Sequence, residues 1–147
     1  MFRKLLLCYD GSAEGRNALR EGAELALALH ADVHVLAIVR EHPPPVVPEG
    51  FTDSWFRSAD AQARQVLDEG IDWLRERGMA AQGNIVYGRA VDEITRAVHC
   101  LQPDLVVVAH RNRSRLARWW SDSEDATLLE RLPCSILVTV IPPEARP

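Results

Sequence analysis

The chain has 147 residues, 47% hydrophobic and 26% charged, which suits one globular domain with a core of its own. A formal net charge of -4 argues against a general binder of nucleic acid or anionic membrane, so any anion site has to be local. No stretch approaches the roughly 20 apolar residues that span a bilayer. The three cysteines (Cys8, Cys100, Cys134) show no C-x-x-C spacing, and two lie in or beside apolar runs, which reads as buried thiols in a reducing cytoplasm.

Met1-Phe2-Arg3-Lys4 followed by Leu5-Leu6-Leu7 has the charge pattern of a leader peptide. Its apolar run breaks at Tyr9-Asp10-Gly11, so Arg3 to Tyr9 reads instead as a strand, apolar without alternation and therefore covered on both faces. A helix follows from about Ser12, with Ala18, Leu19, Gly22, Ala23, Leu25, Ala26 and Leu29 on one stripe. Val33 to Val39 is the second strand, and the prolines between His42 and Gly50 force an irregular connection. Ser58 to Arg77 is a second helix with Ala63, Val66, Leu67, Gly70, Ile71 and Leu74 inward and Gly78 as its stop.

Ala80 to Tyr87 is a third strand, and Ala90 to Leu101 a helix that ends before Pro103. Leu105 to Ala109 is the fourth strand, Asp122 to Arg131 the last helix and Ser135 to Ile141 the fifth strand, closed by Pro142-Pro143. Strands alternating with helices predict a single α/β domain, a doubly wound parallel sheet with helices on both faces. Ligands of such sheets sit beyond the carboxyl ends of the strands. That edge carries Asp10-Gly11-Ser12, Val39-Arg40, Gly88-Arg89 and Ala109 to Arg113.

Gly11 permits a sharp strand-to-helix turn, and Ser12 is a good N-cap. Asp10 can accept hydrogen bonds from a sugar or base, or simply hold its loop. Together with Leu5-Leu6-Leu7-Cys8-Tyr9-Asp10-Gly11-Ser12, the runs Asp104-Leu105-Val106-Val107-Val108 and Leu132-Pro133-Cys134-Ser135-Ile136-Leu137-Val138 resemble the universal stress protein family in order and spacing. The resemblance implies strand order 3-2-1-4-5 and a homodimer through the last strand. It also implies, in the ATP-binding branch, a glycine motif of G-x-x-G, nine residues, then G-S or G-T.

The logic of that motif is close backbone approach to phosphate and a helix N-terminus facing the anion. Here the glycine positions fall on Ala109, Asn112 and Asp122, with nine residues from Arg113 to Ser121 and the final serine kept as Ser123. Asp122 sets a carboxylate where the family holds phosphate, and like charges repel. Ser121-Asp122-Ser123-Glu124 moreover fits a capping box, which would occupy the amides a ligand needs. Against this stand Arg111, Arg113, Arg115 and Arg118, whose forks bind phosphate or merely balance Glu124, Asp125 and Glu130. Trp119-Trp120 and Trp55-Phe56 are open to two readings, core packing or cleft and partner contact.

Catalytic and metal signals are weaker still. His30, His34 and His42 lack ligand partners at metal spacing, and no G-x-S-x-G elbow is present. The third strand ends Ile85-Val86-Tyr87-Gly88, without the aspartate of a phosphoacceptor domain. The leading expectation is thus a cytoplasmic stress-type binding and signalling protein without turnover. It would act through a homodimer along Ser135 to Ile141 and through a protein partner, with ATP bound weakly or not at all.

The second expectation is a binder of ATP or another adenine nucleotide. It would use Asp10 and Val39 for the nucleoside and Asn112, Arg111, Arg113 and Ser123 for the phosphates, within a candidate site that also takes in Gly11, Ser12, Val108, Ala109 and Asp122. A third is a slow ATP hydrolase, for which only Asp10 and Asp122 are plausible metal-side carboxylates.

Overall fold

The computed structural model describes residues 2–39, 52–110 and 128–140, those at 52–59, 110, 128–129 and 140 by backbone only. At its centre lies β1 (Lys4–Tyr9), in which Leu5 to Tyr9 are all buried. This is the physical meaning of a strand apolar at every position: helices cover both of its faces. Parallel to it run β2 (Asp32–Val39) on one side and β4 (Leu105–His110) on the other, and β3 (Ala81–Tyr87) and β5 (Ser135–Val140) form the edges. The order β3-β2-β1-β4-β5 is the one the family resemblance implies.

Two layers of helix sandwich the sheet. Helices α1 (Ala13–Ala18), α2 (Arg20–Leu29) and α3 (Thr52–Glu76) cover one face, where Leu5, Leu7 and Tyr9 meet Leu19, Ala23, Leu67 and Leu74. Helix α4 (Ala90–Leu101) and the segment before β5, which holds α5 (Leu128–Arg131) and Leu132, cover the other. There Leu6, Cys8, Val106 and Val108 share a cluster with Val91, Ile94, Val98 and Leu132. Where helix meets sheet most closely, glycine is required. A Cβ on Gly83 would stand 3.0 Å from Ile71 Cδ1 of α3, besides 2.5 Å from the Val35 carbonyl oxygen of the neighbouring strand, and one on Gly22 of α2 would stand 2.8 Å from Val107 Cγ1.

The predicted elements correspond to the observed ones with three differences of extent. The first helix divides at Leu19, whose N–H turns to the Arg16 carbonyl at 3.0 Å in a tighter local turn. Helix α3 begins at Thr52 rather than Ser58, so more of the segment after the prolines is helical than its periodicity suggests. Of the last helix, only Leu128–Arg131 lies within the described residues.

The end of α3 follows the signal in the sequence. Gly78 sits at φ +83, its N–H bonds the Arg75 carbonyl, and that of Met79 bonds Leu74, which is a Schellman turn. Helix α2 ends in the same turn without a glycine, since His30 takes φ 53 while Ala31 donates to Ala26 and His30 to Leu27. At the end of α4, Gln102 takes φ 50 immediately before the buried Pro103.

Candidate functional site

The strand order reverses between β1 and β4, and the register there pairs Cys8 with Val108. Asp10 leaves β1 and Ala109 continues β4 on either side of this crevice, the place where doubly wound sheets bind ligands. Gly11, at φ +85, makes the turn out of β1, and a Cβ there would meet Val39 Cγ2 at 3.0 Å. The turn therefore lies directly against the end of β2. Of the predicted site residues, Asp10, Gly11, Ser12, Val39, Val108 and Ala109 all stand at the carboxyl ends of the three central strands, with Val108 and Ala109 buried.

Within the turn the polar groups serve one another. Asp10 Oδ1 accepts the Ser12 N–H at 3.0 Å and the Ser12 hydroxyl at 2.5 Å. Ser12 Oγ accepts the Gly15 N–H at 2.9 Å, capping α1 as the sequence suggests. A Cβ on Gly15 would come within 2.2 Å of Asp10 Oδ1, so the carboxylate lies across the first turn of α1 and leaves no room for a side chain. Gly15 is the residue that sequence reasoning missed, and D-G-S-x-x-G is the spacing that could have disclosed it. Asp10 thus both holds its loop and sits at the crevice; the two roles offered for it are compatible.

Among the described residues no cysteine is prepared as a nucleophile. Cys8 faces away into the α4 side, and burial, then the neighbouring Cys134, pushes its thiol far above the ordinary range, so it stays protonated at neutral pH. Cys134 is half-buried and Cys100 exposed, so only one of the three thiols is enclosed as the sequence reading expects. His34 is engaged with Asn84 Oδ1 at 2.6 Å, across β2 and β3 and away from their carboxyl ends. Among the described residues no three His, Cys, Asp or Glu side chains converge as a metal set. No described helix is long and apolar enough to cross a membrane.

Arg111, Asn112, Arg113, Asp122 and Ser123 lie outside the described residues. So do Arg115, Arg118, Trp119, Trp120, Ser121 and Glu124, the proline-rich connection and Ile141, together with the side chains of Trp55 and Phe56. The opposite end of the sheet, by contrast, is fully described. Asp104 there accepts the N–H groups of Arg3 at 2.8 Å and Lys4 at 2.9 Å, so this motif aspartate ties β4 to the start of β1 and takes no part in the crevice.

Known proteins share this fold. Universal stress protein YxiE of Bacillus subtilis (strain 168) is 25% identical over 146 residues, covering 94% of this chain and 99% of that one. A universal stress protein solved in complex with cAMP superposes with a TM-score of 0.64 at 19% identity, covering 93% of this chain and 95% of the other. A universal stress protein family protein of Arabidopsis thaliana, solved with AMP bound, gives 0.64 at 17% identity over 99% of this chain and 95% of that one. The model of the Universal stress protein family matches residues 1–140, spanning every described element, and the chain belongs to that family.

Proposed function

We propose that this chain is a stress-response binding and signalling protein without turnover, acting as a homodimer, whose adenine-nucleotide site is kept at the nucleoside end and weakened at the triphosphate end. The observation that carries this reading is the turn at the reversal of strand order. Gly11 lies against Val39 and Asp10 stands at the crevice with Ala109 across from it, an arrangement that would offer a nucleoside an acceptor and apolar walls. Two solved structures of the same fold hold AMP and cAMP, each with a single phosphorus. The sequence favours the same limit here, since the three glycines that cradle a triphosphate are Ala109, Asn112 and Asp122.

Calorimetric titration of AMP and ATP tests this directly. If the outer phosphates find no cradle, the two bind within about threefold of each other and only at high micromolar to millimolar concentration, because a tenfold gain would need about 1.4 kcal/mol of new contact. Asp10→Ala should weaken both equally. Micromolar ATP affinity well above that of AMP would falsify the weakened-triphosphate reading and favour a working arginine-lined phosphate site.

The exposed edge at β5 supports a dimer along that strand. That strand ends the sheet with no further strand beside it among the described residues, Leu137 is 38% exposed, and Ile136 and Val138 are half-buried. Such an edge is a ready surface for a second copy. Light scattering of wild type against a Leu137→Lys variant decides it: a monomeric wild type ends the dimer reading.

A further inference from the structure

We propose that a cavity between α1–α2, α3 and the sheet is a second binding site, taking a small monocarboxylate with an apolar body. The cavity holds about 350 Å³ and shares no residue with the nucleoside edge described above. Leu7, Leu19, Ala23, Val35, Leu67 and Leu74 furnish its apolar lining. Volumes of roughly 300–1,000 Å³ with apolar walls and a few polar groups are those of small-molecule sites.

The polar groups specify the occupant. Tyr9 also lines the cavity, is 0% exposed, and its hydroxyl has no hydrogen-bond partner among the described residues. Buried hydroxyls are almost always paired, so an orphan beside a cavity calls for an acceptor supplied by whatever enters. Arg16 reaches Val66 O and Glu69 Oε2 through Nη1 alone, both at 2.9 Å. Its Nε and Nη2 make no hydrogen bond among the described residues and remain as donors. Arg20 meets the Trp73 ring at 5.9 Å and no carboxylate among the described residues.

Two guanidiniums against the one carboxylate of Glu69 leave the lining with a net positive charge. A nucleotide does not suit it, because its sugar and phosphates would meet mostly hydrocarbon. A carboxylate does: it can accept from Tyr9 and Arg16 at once while its chain displaces water from the leucines.

The probe is octanoate, with octanol lacking the charge and acetate lacking the body, titrated calorimetrically and by methyl NMR into wild type, Tyr9→Phe and Ala23→Leu. Octanoate should bind saturably and shift the methyls of Leu7, Val35, Leu67 and Leu74, whereas acetate should not. Octanol should bind about tenfold more weakly, and Tyr9→Phe should cost octanoate a similar factor, as expected for charge-assisted hydrogen bonds. Tyr9→Phe should at the same time keep or raise the melting temperature of the empty protein, since it deletes an unpaired buried hydroxyl. Ala23→Leu, which fills the space, should abolish binding. The proposal is overturned if octanoate gives no saturable shift at millimolar concentration, if octanol binds as tightly, or if Tyr9→Phe leaves octanoate affinity unchanged. Should Ala23→Leu fail to fold, the last two comparisons still decide the matter.

Discussion

On the α4 face of the sheet, Ile94 and Val98 close over Leu6, Cys8, Val106 and Val108, and Ile94 is 0% exposed. On the opposite face the same central strand presents Leu5, Leu7 and Tyr9 to three helices, and about 350 Å³ is left between them. The second face is not simply looser. Gly22 and Gly83 bring helix and strand into tighter contact there than any side chain would allow. Close approach at two glycines fixes the helices at a distance that large residues elsewhere on the face do not fill. Packing density is therefore set locally, and a sheet can be closed at the centre of one face and receptive at the centre of the other.

That contrast can be broken by truncation. Ile94→Ala should cost about 3–5 kcal/mol, because Ile94 is fully enclosed within its cluster, while Leu74→Ala beside the cavity should cost nearer 2, the low end of the range. Equal losses in chemical denaturation would mean the two faces are packed alike. A smaller effect tests how the helices of each face end. His30→Gly on the receptive side should raise stability by up to about 1 kcal/mol by relieving a left-handed residue with a Cβ. Gln102→Gly at the end of α4 should act in the same direction, and a loss at either position would show that the side chain contributes more than its strain.

The smallest effect is in pH. Arg16, with Gln65, holds the Glu69 carboxyl below its ordinary range, and the Arg3 and Lys4 amides do the same for Asp104. A depressed folded pKa favours the folded state above the ordinary carboxylate value of about 4, and that contribution disappears as pH falls through the lower folded value. Melting temperature should thus fall on acidification, and Glu69→Gln and Asp104→Asn should each flatten the fall. An unchanged slope in both variants would remove these two contacts as its source.

Much of the fold was legible because its signals are local. Uninterrupted apolar runs such as Leu5 to Tyr9 mark strands covered on both faces, and Gly78 marks the end of α3. The end of α2 was harder, since His30 adopts a glycine conformation that nothing in its neighbours announces. The turn at Asp10-Gly11-Ser12 lies at the carboxyl end of β1, where the order of elements puts it, whereas Gly15 is not legible because its reason is a contact with Asp10. The Tyr9 cavity could not be read at all. It depends on residues from β1, α1, α2 and α3 meeting in space, and each of them alone looks like ordinary core or surface.

The passage of Arg16 over Gly70 has a consequence for how this sequence can diverge. A Cβ at position 70 would stand 3.2 Å from Arg16 Cδ, while Arg16 Nη1 reaches on to Val66 and Glu69. The two positions form one unit although 54 residues separate them. Relatives that carry a larger residue at 70 should carry a shorter one at 16, and with it lose the cationic rim of the cavity. Co-substitution of this pair across the family would sort its members into those that keep the strut from α1 to α3 and those that have given it up.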